Sequence, residues 1–556
     1  MNIPEGIDAA ASYIDLVAVP FTQPGSRLLI HSDGAGALVV RRAAYEVSAT
    51  DAIVLTGVRV EDRHGAPLPL GAVGVDRIEI GGLTLALSGD ELSVAGPMAA
   101  RLVFEHAGVR TIEQIIPEET VVLTLTEDGV QVRRDGTHAH RLAHCQTWWQ
   151  DWFADLPQVQ AEFSASAAHH WWVLGVNQLA LTGHVGTAVV PAKLGYLGLW
   201  QWDAYFIAIG LRHTRLDLAT MQLEMALRHP QPSGQLPDVL HDGGILAAST
   251  DLPAADVDRL HQVGSPAADP HAAVPLTKPP LAALTITKLV EAGLRAEECV
   301  ALLPAVIASQ DWWLRDCPTV DGIPGYAHPY SSGLDDSPVF DAELPVATPD
   351  LVAYLELQDR LLADLLMAMD RLESASRHRD RAGQSHDQLL QLWVESERRF
   401  AARGASGLVA AHTIVDLVPL LTGSLPQRIV DALVADLTDP RTFGGGVVVP
   451  TVARSSGSFD AQAMWRGPVW VNTNWLIVEG LQRSGRPEEA AELARRTLSQ
   501  VAASGGAYEY LDAETGACPA RAVALFAWTA ALWLDLAVRF APATNDPTTT
   551  MRKVTA

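Results

Sequence analysis

Two acidic loops, far apart in the chain, have residue types that suit acid–base chemistry. The first runs Tyr326-Ala-His328-Pro-Tyr330-Ser-Ser-Gly333-Leu-Asp335-Asp336-Ser-Pro338. It sets an adjacent carboxylate pair beside Gly333 and Pro338, with His328 and Tyr330 just upstream, so an acid sits on a rigid, aromatic-lined loop. The second, Tyr508-Glu509-Tyr510-Leu-Asp512-Ala-Glu514-Thr-Gly516, flanks a glutamate with tyrosines before a turn. Two further loops supply aromatic and polar groups: Gly198-Leu-Trp200-Gln-Trp202-Asp203, and Met464-Trp465-Arg466-Gly467-Pro468-Val-Trp470-Val-Asn472-Thr-Asn474. An Asp-Asp pair in a Gly/Pro loop by itself reads as a turn or a helix cap. Two carboxylates on separate loops among aromatic platforms read as the equipment of glycoside hydrolysis, in which one acid protonates the departing oxygen and a second carboxylate activates water.

The elements that must position these loops fall into two kinds. From about residue 26 to 137 the apolar pattern has period two, the signature of strands. Leu83, Leu85 and Leu87 lead through Gly89-Asp90 to Leu92 and Val94, and Val121, Leu123 and Leu125 lead through Asp128-Gly129 to Val130 and Val132. Both read as hairpins, and the whole predicts an antiparallel β-sandwich over 1–140. Trp148, Trp149, Trp152 and Phe153 share a helix face in a linker over 141–162. Over 163–540 the period becomes 3.6. Ser424 and Pro426 open a helix striped by Ile429, Leu433 and Leu437, Asp350 opens another, and Pro487 begins a third just after Gly485. About twelve such segments predict a mainly α ring of six helical hairpins with the long, chemistry-bearing loops at one end. The final stretch, 541–556, reads as a disordered tail.

Composition narrows the partners. In 556 residues, 40 Lys and Arg face 65 Asp and Glu for a formal charge of −25, which disfavours nucleic acid and anionic membrane and suits a small neutral sugar or glycoside. Monomer and homo-oligomer both stay open. Four scattered cysteines without a CxxC pair suggest free thiols, and an N-terminus carrying Glu5 and Asp8 is unlike a signal peptide, so a cytoplasmic protein is expected. Fifteen tryptophans suit a ligand with flat apolar faces and hydroxyl edges, although Trp312-Trp313 reads as core. No cofactor or metal is called for. His169-His170 lacks the i, i+4 spacing of a helical metal pair, and Asp512 with Glu514 offers too few oxygens for calcium.

Taken as an ordered set, Trp200-Gln-Trp202-Asp203, His328-Pro-Tyr-Ser-Ser-Gly-Leu-Asp335-Asp-Ser-Pro338, Trp465-Arg-Gly-Pro-Val-Trp470-Val-Asn472 and Tyr508-Glu509-Tyr510 with Thr515-Gly516 resemble glycoside hydrolase family 63. This family includes α-glucosidases and mannosylglycerate and glucosylglycerate hydrolases. The resemblance spans roughly 165–540 and implies an (α/α)6 barrel that cleaves α-glycosides with inversion. By motif match it makes Asp335 the general acid and Glu509 the general base. It places Trp200, Trp202, Asp203, Trp465 and Arg466 along the sugar subsite, and marks Lys278, His328, Tyr330, Gly333, Gly467, Trp470 and Tyr508 as further candidate substrate-binding residues.

The chain departs from the family pattern at Tyr330-Ser331, where relatives commonly have Trp-Glu, and at Lys278-Pro279-Pro280, where they often have Gln-Pro-Pro. Lys278 reads either as a contact for an acidic aglycone or as a surface lysine, and Arg466 either as a ligand contact or as a structural ion pair. A raised pKa is expected for Asp335, from burial and like charge, and an ionised Glu509 aided by the hydroxyls of Tyr508 and Tyr510. The implied activity is that of an inverting exo-acting α-glucosidase. A glycoside phosphorylase and a non-catalytic sugar-binding protein are the alternatives.

Overall fold

The computed structural model describes the chain except residues 127–128, 253, 255–256, 259–261, 263–272 and 544–556. A capped helix, Ile3–Ala11, precedes two antiparallel sheets. The five-stranded sheet has the order Leu28–Ser32, Leu38–Arg42, Ile53–Glu61, Ala100–His106, Val109–Ile115. The six-stranded sheet has the order Gly129–Asp135, Thr120–Thr126, Glu91–Ala95, Leu83–Ser88, Ile78–Ile80, Leu70–Val73. The alternation read from the sequence sets the register: Leu85 opposes Val94, Leu87 opposes Leu92, and Leu123 faces Leu92 from the next strand. All of these side chains are buried. Gly89, at φ 58°, turns the first hairpin in a conformation that favours glycine. The second hairpin closes at Thr126 opposite Gly129, while Asp128 lies outside the described residues.

The helix His138–Ala154 buries Trp149, Trp152 and Phe153 and joins the two halves. Trp152 and Trp171 stack at 4.4 Å, and each indole N–H donates to the other's backbone carbonyl, at 2.9 and 2.8 Å. This reciprocal pair locks the connecting helix onto Ser164–Val176, because both indoles bury their apolar faces and satisfy their donors together.

Beyond it, six elements pack each against the next and the last against the first. These are the helices Gln201–Leu211, Ala282–Glu291 and Pro349–Ala368, the 3-10 turn Val418–Thr422, and the helices Val471–Arg483 and Ala527–Phe540. Every residue of Gln201–Leu211 is buried, as expected of a helix enclosed on all sides. Leu216–Ala226, Ala296–Arg315, Leu372–Gln391 and Pro487–Ser504 pack on the outside of this ring. Gly210 and Gly480 let neighbours approach closely: an added methyl would lie 2.3 Å from the Ala531 carbonyl oxygen and 2.8 Å from the Leu420 side chain respectively.

Two local expectations change. The helix after Gly423 starts at Gln427 with Pro426 as its cap, and Ser424 instead donates to Glu356 at 2.5 Å, where a buried carboxylate outcompetes the helix end. The start of the expected tail is packed: Ala541 is buried, its carbonyl accepts the Gln160 N–H at 2.8 Å, and Pro542 bridges Val159. Residues 544–556 lie outside the described part. No described helix is long and apolar enough to cross a membrane, and all four cysteines are free.

Candidate active site

The first wall of the site follows from a short strand pairing. Leu199 and Trp200 pair with Leu240 and Val239, so the chain enters the Gln201–Leu211 helix with Trp202 and Asp203 in its first turn and Asp238 alongside. Gln201 fixes this junction. Its N–H donates to the Asp238 carbonyl at 2.9 Å, and its side-chain oxygen accepts from the Lys278 N–H at 2.8 Å and the Thr277 hydroxyl at 3.0 Å.

The Asp335 loop is shaped by one 3-10 turn, Pro329–Ser332, ending at Gly333 with φ 71°. Glycine is required there twice over, because the backbone is left-handed and an added methyl would sit 2.2 Å from the Trp202 ring. Within the acidic pair the two carboxylates part company. Asp336 accepts the Trp465 N–H at 2.8 Å, tying the two loops together, whereas Asp335 lines the cavity with 30% of its side chain exposed.

The Glu509 loop is locally extended: Val469 bridges Leu511 and Tyr508 bridges Ala524. Glu509 is only 3% exposed. Its Oε1 accepts the Tyr196 hydroxyl at 2.6 Å and its Oε2 the Val523 N–H at 3.1 Å. Burial pushes its carboxyl up to about 7. The Tyr196 and Val523 hydrogen bonds pull down against that, and the charge of Asp335 adds to the rise.

These loops meet around one cavity, with Asp335 and Glu509 both in its lining. Its aromatic walls include Trp202, which meets Trp528 edge-on at 5.3 Å, and Trp465, which stacks on Trp470 at 3.6 Å. Tyr196 and Trp200 meet edge-on at 5.4 Å. Met464, in the lining, holds a positive φ of 24°, a strained conformation for a side-chain-bearing residue, and its carbonyl accepts the Trp470 indole N–H at 2.7 Å. Asp203, buried at the base of the site, has its carboxyl pushed well above the usual range by burial, with Lys278 pulling the other way.

Of the residues expected to bind substrate, Trp200, Trp202, Asp203, Lys278, Gly333, Trp465 and Trp470 line the cavity. Five do not. His328 caps the 3-10 turn by accepting the Tyr330 N–H at 3.0 Å, and Tyr330 offers its carbonyl to Lys278 at 2.7 Å. Arg466 forms a two-pronged pair with Asp341, at 2.9 and 2.6 Å, and donates to the Asp336 carbonyl, so it braces loops. Gly467 allows close approach to the Asp460 carbonyl, where a methyl would lie at 2.3 Å. Neither Tyr508 nor Tyr510 lines the cavity, and Tyr510 packs on Trp470 at 4.9 Å. Alternating sides along extended chain put both tyrosines opposite Glu509, so the hydroxyl expected from a sequence neighbour comes from distant Tyr196 instead.

Lys278 is not a surface lysine: it is 4% exposed. Burial alone would lower its ammonium, but Asp238 and Asp335 outweigh it and hold it above its ordinary range. Met464, at the head of the Trp465 loop, also lines the cavity, Tyr196, Phe526 and Trp528 line it without having been singled out from sequence, and Tyr45 reaches the Trp200 rim from the β-region, at 6.2 Å. The other polar clusters have structural partners. His169 accepts the Ala507 N–H at 3.3 Å, His170 stacks on Trp533 at 4.5 Å, and Asp512 accepts the Glu514 and Thr515 N–H groups at 2.8 Å. Among the described residues, no group of three or more His, Cys, Asp or Glu could hold a metal ion.

The profile of the mannosylglycerate hydrolase MGH1-like glycoside hydrolase domain matches residues 196–529, which hold both acidic loops and every wall of the cavity. The chain belongs to this family. It is therefore a glycoside hydrolase, and the resemblance to family 63 holds. A mannosylglycerate hydrolase of Rubrobacter radiotolerans is 27% identical over 62% of this chain and 92% of its own length. A glucosylglycerate hydrolase of Mycolicibacterium hassiacum is 24% identical over 63% of this chain and 94% of its own. Among solved structures, the GH63 mannosylglycerate hydrolase from Thermus thermophilus in complex with Tris and D-glycerate is similar, with a TM-score of 0.55 and 23% identity. The match covers 66% of this chain and 98% of that one, a likeness of fold.

Proposed function

We propose that this enzyme is an inverting, exo-acting α-glycosidase, an α-glucosidase by preference, that cleaves a small α-glucoside or oligosaccharide. The closed ring of six packed elements supports reading the helical part, 163–540, as an (α/α)6 barrel whose fourth inner member has shrunk to a 3-10 turn. The β-region, 1–140, is a sandwich bracing it, joined by the linker 141–162. Four free thiols suit a cytoplasmic setting.

In the reaction, Asp335 gives its proton to the glycosidic oxygen as the bond from that oxygen to the anomeric carbon breaks. Glu509 takes a proton from water as the water oxygen attacks that carbon from the opposite face. Tyr196 and Val523 hold the Glu509 carboxylate in one orientation, and the stacked indoles give the sugar ring flat apolar faces. Asp203 and Lys278 sit where sugar hydroxyls would find polar partners.

The observation that carries this reading is that two carboxylates from distant loops line one aromatic cavity, one partly exposed and one buried and orientated. Replacement of Glu509 by Gln tests it: turnover of α-glucosides should fall by about 10³-fold, and full turnover in the variant would overturn it. A phosphorylase would use phosphate in place of water, so turnover that depends on added phosphate would transfer the site to that reaction.

A further inference from the structure

Among the described residues lining the cavity, Lys278 is the one cation, set among Asp203, Asp335 and Glu509. Its ammonium is already surrounded. It lies 3.2 Å from Asp238 Oδ1 and 3.9 Å from Asp335 Oδ1, and it donates to the Tyr330 carbonyl at 2.7 Å. Two of these oxygens, from Asp238 and Tyr330, lie within reach of its N–H donors, and Asp335 stands just beyond. The chain is held in this position by its backbone, since the Lys278 N–H is bound to Gln201, which in turn binds the Asp238 carbonyl. The other cation on these loops, Arg466, lies outside the cavity lining and is paired with Asp341.

A carboxylate entering this cavity would meet three acids in the lining and a lysine already paired with Asp238. Desolvating an anion without a free cationic partner is strongly unfavourable. A hydroxyl-bearing neutral group meets no such barrier, and the same acids accept its hydrogen bonds.

We propose that the Asp238–Lys278 pair sets the charge class of the leaving group: the enzyme takes glycosides with a neutral aglycone and rejects those whose aglycone carries a carboxylate. Lys278 is a specificity-determining residue that acts by being occupied, and Asp238 is the residue that occupies it. The inference rests on the hydrolase reading above and separates this chain from relatives described as glycerate glycoside hydrolases.

Glucosylglycerol and glucosylglycerate test it, because they share a skeleton and differ in a hydroxymethyl against a carboxylate. For the unaltered enzyme, kcat/KM should favour the neutral compound at least tenfold. The Asp238→Asn change removes one acid and frees the ammonium, so the preference should shrink by at least tenfold. The Lys278→Gln change should move the ratio the other way, with the charged compound excluded further. A structural role alone would lower both activities together and leave the ratio in place. A preference for glucosylglycerate in the unaltered enzyme, or a ratio that neither variant changes, overturns the proposal while leaving the hydrolase reading intact. If neither compound is cleaved, the proposed preference for small glucosides is what fails. The proposal is then judged by calorimetric titration of the unaltered protein with D-glycerate: no binding is expected, and saturable binding contradicts it.

Discussion

The two acidic loops solve opposite problems. Glu509 sits on locally extended chain, nearly sealed from solvent, with a hydroxyl and a backbone N–H each bound to one of its oxygens. Asp335 sits on a turn forced by Gly333, partly open, with a lysine ammonium on one side and the cavity on the other. A group that must orient one water gains from a fixed, dry setting, whereas a group that must reach a departing oxygen needs access. The difference is the one that the proposed roles, Glu509 as base and Asp335 as acid, would need.

That contrast is broken most severely by removing the carboxylates themselves. Asp335→Asn and Glu509→Gln should each cost about 10³-fold in turnover of an alkyl glucoside. They should diverge on an aryl glucoside with an acidic leaving group: the Asp335 variant recovers much of its rate, because that oxygen departs without a proton, and the Glu509 variant does not. Equal recovery by both would erase the assignment.

A smaller but still large effect is expected at the turn. Gly333→Ala introduces a methyl against the Trp202 ring at a left-handed backbone position, and should lower stability by about 1–3 kcal/mol. Thermal unfolding measures this, and the activity of the folded fraction should fall with it as Asp335 moves.

Next comes the Glu509 cradle. With its carboxyl pushed up to about 7, the base is ionised above that pH and protonated below it, so kcat/KM should fall as pH drops through 7. Tyr196→Phe removes a hydrogen bond that favours the ionised form, so the acidic limb should move to higher pH, with about tenfold lower activity near neutrality. An unmoved limb would mean that another group governs it. The smallest effect is expected at Arg466→Ala, whose partly exposed pair with Asp341 is worth about 0–1 kcal/mol. Activity should change little there, in contrast to the residues lining the cavity.

The sheets were legible because period-two burial needs no long-range information: Leu85, Leu87, Leu92 and Val94 declare their own register. The acidic loops were legible because Gly333, Pro338 and the tryptophans restrict what the chain can do locally. What eluded the sequence is what arrives from elsewhere in the fold. Tyr196 reaches Glu509 from 313 residues away in the chain, Asp238 reaches Lys278 through a two-residue strand pairing, and Phe526 and Trp528 have no neighbouring motif to mark them. The 3.6-residue period likewise could not show that one inner element of the ring is a 3-10 turn, since Val418–Thr422 is too short for the period to register.

The most direct test of two carboxylates acting across one cavity is the anomer first released from an α-glucoside, followed by proton NMR before mutarotation sets in. Attack by a Glu509-activated water from the face opposite Asp335 predicts β-glucose as the initial product. Initial release of α-glucose would contradict that account.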